Sequence, residues 1–307
     1  MPSSRPKALV TIPHYYRPTG TETGHASLNP TRREERLRNL EACLFHLAAL
    51  FGDRGRYGAR HDTATVHPAA NPLAVDLDIV VNTTGGHHLL DDLSIPPDWY
   101  EHREVPLEDP LFLGFAAQEV LRDRSGGYDW YIYLEDDLIL QDAFFLAKLA
   151  QVNRLFEAHP LAERPRLLLP HRWEDPLGRD RERKSVFTKC YPDWRLSEHS
   201  IFPGQPIAFD HLGMTVTLEP AVGPHAGCFF LNAAQMARLA THPLFLDTRE
   251  IWITPLDSAA TKAIANAFAL FKPSLDSAPF FELRHASPLT LDQLFDQGPG
   301  QPPLWKF

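Results

Sequence analysis

A chain of 307 residues, 44% of them hydrophobic, is long enough to bury one large core or two fused ones, so disorder is not the default expectation. With 22% charged residues and a net charge of −9 it has no basic field for nucleic acid or anionic lipid, so an anionic substrate needs a metal ion or a local Arg/Lys cluster. Its three cysteines, Cys43, Cys190 and Cys228, are odd in number and far apart, which argues against a disulfide framework or a cysteine zinc site and fits a reducing compartment.

Lys7 to Pro13 reads as a first strand, β-branched and apolar residues closed by a proline. Its apolar run is too brief for a secretory signal. The polar stretch Tyr15 to Pro30 follows as a long loop, and Thr31 to Glu35 starts a helix with Leu37, Leu40, Leu44, Leu47 and Phe51 at helical spacing. Gly52 to Ala74 carries turn formers without a period, as an irregular edge does. Val75 to Asn82 is a second strand, apolar enough to be buried on both faces. Asp109 is placed to cap a helix over Pro110 to Arg122, with Leu111, Phe115, Gln118 and Leu121 along one line. Tyr128 to Leu134 is a third strand, ending in Glu135-Asp136-Asp137, and Asp142 caps a helix that buries Phe145, Leu149, Val152 and Phe156.

This alternation predicts an α/β fold, a mainly parallel Rossmann-type sheet with helices packed on it. A soft boundary near residue 165 separates a first subdomain, 1–165, from a mixed α/β region, 166–307, fused to it as one globular unit. In that second region Arg166 to His171, Ser185 to Cys190, Met214 to Glu219, Cys228 to Leu231 and Phe280 to Arg284 read as short strands, with helices starting near Asn232 and Asp257. No run approaches the roughly 20 apolar residues of a membrane span, and the expectation is a soluble, cytoplasmic protein.

Ligands of parallel sheets bind at the carboxyl ends of the strands, which brings the acidic triplet, Asn82 and the Tyr15 loop to one rim. Three consecutive carboxylates after a buried strand repel one another, and a Mg²⁺ or Mn²⁺ ion relieves that by taking hard oxygen ligands; the plain alternative is a solvated acidic turn. Pro13, His14, Tyr15 and Arg17 follow the first strand and are candidates for a nucleotide, with an aromatic ring for the base and an arginine for a phosphate. Asp78 or Asn82, near the end of the second strand, are candidates for a polar base edge. Gly227 allows close approach of backbone to a sugar, whereas Asn232 with Gln235 forms a helix-capping box. Asp257 is the candidate general base for an acceptor hydroxyl, with helix capping as its structural reading; Glu174, Asp175, Asp210 and Glu219 are rival carboxylates on loops. Arg32 and Arg33 read as solvated residues of a helix start.

The run Tyr133-Leu134-Glu135-Asp136-Asp137-Leu138-Ile139-Leu140-Gln141-Asp142-Ala143-Phe144-Phe145 resembles the metal-binding segment of GT-A glycosyltransferases. It is most similar to the N-acetylglucosaminyltransferase I type (family 13-like), where a Glu-Asp-Asp triplet precedes a short apolar run and an Asp-Phe-Phe helix start. The resemblance implies a GT-A-like nucleotide-sugar-binding subdomain over 1–165 and an acceptor region beyond it. It implies a nucleoside-diphosphate sugar as donor, a UDP-sugar first, and Mn²⁺ or Mg²⁺ as cofactor. Asp137 becomes the principal metal ligand, Glu135 and Asp136 the contacts to nucleotide or ribose, and His285 the C-terminal histidine that returns to the metal. The acceptor is then a hydroxyl on a glycan, a lipid-linked molecule, a protein or a small molecule.

Three other readings stay open. A nucleotidyltransferase shares the sheet and the metal, although Val10 to Tyr16 holds no glycine-rich phosphate loop. A metal-dependent phosphoesterase would use His87, His88, Asp91 and Asp92. A non-catalytic carbohydrate-binding protein needs neither a metal nor a base.

Overall fold

The computed structural model describes residues 5–19, 26–53, 55–159, 164–175, 188–195 and 197–287. Strand β1 (Lys7–Pro13) leads into helix α1 (Arg33–Phe51), which buries Arg36, Asn39, Leu40, Cys43, Leu44, Leu47 and Phe51 along one face. An exposed hairpin, β2 (Tyr57–Arg60) with β3 (Thr65–Pro68), occupies the expected irregular edge; it escapes notice in the sequence because neither strand has a buried face. Strand β4 (Asp76–Thr83) then pairs parallel to β1, and β5 (Glu101–Glu104) parallel to β4. Glu101-His102-Arg103-Glu104 carries no apolar residue, so only its backbone marks it as an edge strand. Asp109 caps a 3-10 turn, accepting from the Leu111 amide at 2.9 Å, and α2 (Leu113–Asp123) follows. Strand β6 (Trp130–Leu134) returns parallel to the other side of β1.

The remaining elements are β7 (Leu138–Ile139), α3 (Phe145–Ala158), β8 (Arg166–Leu168), β9 (His171–Trp173), β10 (Ile207–His211), β11 (Met214–Pro220), β12 (Cys228–Asn232), α4 (Ala233–Ala240), α5 (Pro255–Asp257), α6 (Ala263–Ala267), β13 (Ala269–Pro273) and β14 (Glu282–His285). Pro170, which lacks an amide donor, separates β8 from β9 where a single strand is expected. Of the strand expected over Ser185 to Cys190, residues 185–187 lie outside the described ones, and Cys190 exchanges two backbone hydrogen bonds with Glu174.

The main sheet has the order β12-β6-β1-β4-β5, parallel except for β12, which runs antiparallel to β6. Alternate residues of β1 face opposite layers. Ala8, Val10 and Ile12 pack with the buried face of α1 and with Leu149 and Val152 of α3, while Leu9 packs with α2, α4 and α6 residues such as Leu121, Leu239 and Ile264. This is a mixed α/β fold with helices on both faces of a mainly parallel sheet. Residue 165 is not a break in it: β12 completes the main sheet, and β7 joins β14 and β9 in a three-stranded one. A third sheet, β10-β11-β13-β8, lies within the second region. No described helix is long and apolar enough to cross a membrane.

From β1 the chain builds outward through β4 to β5, then returns to place β6 on the opposite side of β1. The loops after β1 and β6 therefore start side by side at the same end of the sheet, and both lead to helices on one face, α1 and α3. Ligands of open α/β sheets bind at the carboxyl ends of the strands, beside such a reversal of strand order.

Candidate functional site

The acidic triplet closes β6 at that carboxyl end, and buried partners surround it. His14, the first residue after β1, reaches across to Asp136, with Nδ1 2.5 Å from Oδ2. The other ring nitrogen, Nε2, lies 3.1 Å from the Leu89 amide, which can only donate. Nε2 is therefore the acceptor, and the proton sits on Nδ1, donated to Asp136. Burial lowers the His14 pKa against the pull of Asp136, in keeping with a neutral ring. Arg36 of α1 donates from Nη2 to the same Asp136 oxygen at 2.5 Å and lies 3.4 Å from Asp137 Oδ2 through Nη1.

Asp137 meets a residue 148 positions further on. His285 Nε2 is 3.6 Å from Asp137 Oδ2, and its Nδ1 is 2.8 Å from Glu174 Oε1. Strand pairing produces the meeting: β14 runs antiparallel to β7 with His285 opposite Leu138, and the Ala286 amide donates to the Asp137 carbonyl at 2.9 Å. Burial opposes charge on His285, but Asp137 and then Glu174 outweigh it and raise its pKa to about 9. Burial likewise disfavours the Asp137 carboxylate, yet His285, Arg36 and Arg172 hold it well below the usual range.

This pair suits a divalent ion. Two ligand atoms each about 2.1 Å from one Mg²⁺-sized ion lie between about 3 and 4 Å apart, and 3.6 Å falls inside that span. Glu174, with no exposed surface, orients the imidazole through its second nitrogen as outer-sphere carboxylates do at metal sites. Among the described residues no group of three or more His, Cys, Asp or Glu side chains is arranged to hold a metal ion.

Neither a protein-family model nor a curated protein sequence matches this chain.

Several sequence-predicted residues take different places. Asp136 turns inward to His14 and Arg36, its side chain only 8% exposed, so it braces the triplet rather than presenting itself to a ribose. His14 has both ring nitrogens committed and is no nucleotide ligand. Asn82 is fully buried: its amide donates to Thr11 Oγ1 at 2.8 Å and its carbonyl accepts from Arg103 at 3.1 Å, leaving nothing for a base. Asp78 is level with Leu9 and Tyr131 in the sheet, four residues short of Glu135 and about 13 Å from the carboxyl rim. It accepts from Tyr128 Oη at 2.7 Å and lines a cavity of about 730 Å³ at the sheet's amino end, with Asp53, Asp76, Trp99 and Arg124. That cavity is remote from the triplet.

Gly227 is required by a carboxylate rather than by a sugar. Its φ is +61°, and a Cβ there would stand 2.5 Å from Glu135 Oε2. Of the loop after β1, Pro13 is buried as the last residue of the strand, Tyr15 is half-buried with its ring edge-on to His87, and Arg17 is exposed. Tyr15 and Arg17 remain able to meet a ligand. Glu135 is half-buried, with no hydrogen-bond partner among the described residues; burial, with Asp137 beside it, pushes its pKa up to about 8.

Asp257 stands in the same neighbourhood. Its side chain is 29% exposed, with Oδ1 3.8 Å from His225 Nε2 and Oδ2 accepting from Thr254 Oγ1 at 2.5 Å. The helix cap is Thr254, which accepts from the Asp257 amide, so the structural role expected of Asp257 belongs to its neighbour. Asn232 and Gln235 do form the capping box of α4. Asp175 is paired with Arg284 at 2.7 Å, and Asp210 accepts from Gly213 in the β10–β11 turn.

Three residues of the site carry no motif. Arg36 is one, although a cation four residues before Leu40 lies on the buried stripe of α1, a signal in retrospect. Glu174, expected as a loop carboxylate, and Arg172 are the others. They project from the strand end after Pro170, in a stretch without period.

Behind the site, His171 is buried with Nε2 2.7 Å from the Pro273 carbonyl and no partner for Nδ1. Burial and then Lys272 depress its pKa to about 4. The unfolded state, titrating near 6.5, binds the proton first, so stability present above pH 6.5 is lost on acidification toward pH 4. The loss is about 3 kcal/mol from this residue. Urea unfolding at pH 7 and pH 4.5 should show a smaller acid loss for His171→Gln than for the wild type; equal losses would assign the effect to other groups.

Proposed function

We propose that the protein is a metal-dependent glycosyltransferase of GT-A type, moving a sugar from a nucleoside-diphosphate sugar to a hydroxyl acceptor. The observation that carries this reading is the convergence of Asp137 and His285, with Glu174 behind, at the carboxyl end of the parallel sheet where its strand order reverses. Asp137 and His285 would hold Mg²⁺ or Mn²⁺, which supplies positive charge to the diphosphate of the donor. Asp136, clamped by Arg36 and His14, keeps the turn in place. Tyr15 and Arg17 border the nucleotide side.

Asp257 is the group that takes the acceptor's proton. In the transfer the bond between the sugar's anomeric carbon and the distal phosphate oxygen breaks, and a bond from that carbon to the acceptor oxygen forms. The acceptor proton goes to the Asp257 carboxylate, and the electron pair leaves with the nucleoside diphosphate. A nucleotidyltransferase fits less well, since β1 leads into a loop where His14 is spent on Asp136 and no glycine precedes Tyr16. The ligand set for a two-metal phosphoesterase is dispersed: Asp92 is bound by Arg33, and His88 Nδ1 accepts from Leu90.

Thermal unfolding tests the reading. A panel of nucleoside diphosphates with Mn²⁺ should raise Tm, UDP most, by more than nucleotide or metal alone, because a ligand that bridges to the metal binds only the folded chain. An unchanged Tm across the panel would remove the donor site.

A further inference from the structure

The structure points to a second cation for the donor, supplied by the chain itself: we propose that Arg172 binds the distal phosphate of the nucleoside diphosphate through its two Nη groups. This rests on the glycosyltransferase reading and extends it to the group that leaves.

Arg172 is 8% exposed, and a 2.6 Å bond from Nε to Asp193 Oδ2 fixes its position. Asp193 is its one ion-pair partner among the described residues, and neither Nη has a hydrogen bond there. A guanidinium held by Nε alone presents the flat fork that matches phosphate oxygens. Neither Nη is a buried nitrogen without a partner, so both reach solvent, where an anion can take their four N–H groups in place of water.

The direction of the fork follows from the strands. Residues 172 and 174 of the chain leaving β9 share one side of the three-stranded sheet, and Glu174 meets His285 on that side. Arg172 is thus about 7 Å along the strand from the carboxylate that orients the candidate metal ligand. Glu135 and Asp137 act on it electrostatically, yet neither comes within ion-pair distance. Buried Lys272, whose Nζ donates to the His225 carbonyl at 2.7 Å, adds a second cation near Asp193. Arg172 and Lys272 thus face Asp193 together, with Arg172 within electrostatic reach of the carboxylates that end β6.

A purely structural arginine would matter equally to every ligand, so the test compares phosphates. Binding of UDP, UMP and inorganic pyrophosphate, each with Mn²⁺, is measured by calorimetry for wild type, Arg172→Met and Arg172→Lys. Lysine keeps a charge beside Asp193 should the methionine variant fail to fold. The expected result is at least a tenfold loss of UDP and pyrophosphate affinity in either variant, lysine losing less, with UMP and Mn²⁺ binding unchanged. Equal losses for UDP and UMP, or no loss, would overturn the role of Arg172 while leaving the donor site standing. A wild type that binds pyrophosphate through Arg172 but no nucleotide would keep the anion site and reject the glycosyltransferase. Binding of neither rejects both.

Discussion

Asp137→Asn is expected to abolish metal-dependent nucleotide binding while the fold survives. The substitution keeps shape and removes the charge that faces His285 Nε2 at 3.6 Å, so a divalent cation loses its only anionic protein ligand in the pair. Outer-sphere partners of metal ligands cost about 10–100-fold in affinity when removed, and a direct ligand should cost at least about 100-fold. Glu174→Gln, which preserves the size of the group on Nδ1 but weakens its hold on the imidazole, should fall in the lower range. The order is therefore wild type, then Glu174→Gln, then Asp137→Asn, read as the Mn²⁺ concentration needed for half-saturation with UDP. Wild-type Mn²⁺ dependence in Asp137→Asn would move the metal elsewhere, and equal losses in both variants would make the triad structural. Asp257→Asn gives the contrast, because a residue that takes the acceptor proton lowers turnover without changing that concentration.

What was legible in the sequence followed from burial. β1, β4 and β6 announce themselves because a central parallel strand is covered on both faces and reads as an unbroken apolar run, and the carboxylates that end β6 stand out against it. Asp137, His285 and Asp257 were accessible in that way, as polar residues beside recognisable elements. Asp78 and Asn82 show where the logic thins. Both belong to β4, but strand membership alone says neither which end of the sheet a residue occupies nor whether its side chain is already satisfied by Tyr128 or Arg103. Gly227 stands out for its small size, while the group that needs the space, Glu135, is 92 residues away in sequence. Edge strands such as β5 and the short ladder β7-β14-β9 draw their stability from backbone pairing and leave little periodic trace. That ladder brings Glu174 and His285 together, which is why the carboxylate beside His285 is the least readable part of the candidate site.

Arg36→Met is expected to cost about 3–5 kcal/mol of stability at neutral pH, the range for removing one partner from a buried ion pair. Arg36 is nearly buried and serves two carboxylates, Asp136 at 2.5 Å and Asp137 at 3.4 Å, while His14 offers Asp136 a neutral hydrogen bond and no charge. Without the guanidinium, Asp136 is left with an uncompensated buried charge. Urea unfolding at pH 7 of variant and wild type measures the gap. Adding Asp136→Asn to Arg36→Met should recover most of the loss, because replacing both members of a buried pair leaves no stranded charge. A gap unchanged in the double variant would mean that Arg36 contributes by packing its aliphatic stem. In that case the triplet's charge is balanced elsewhere.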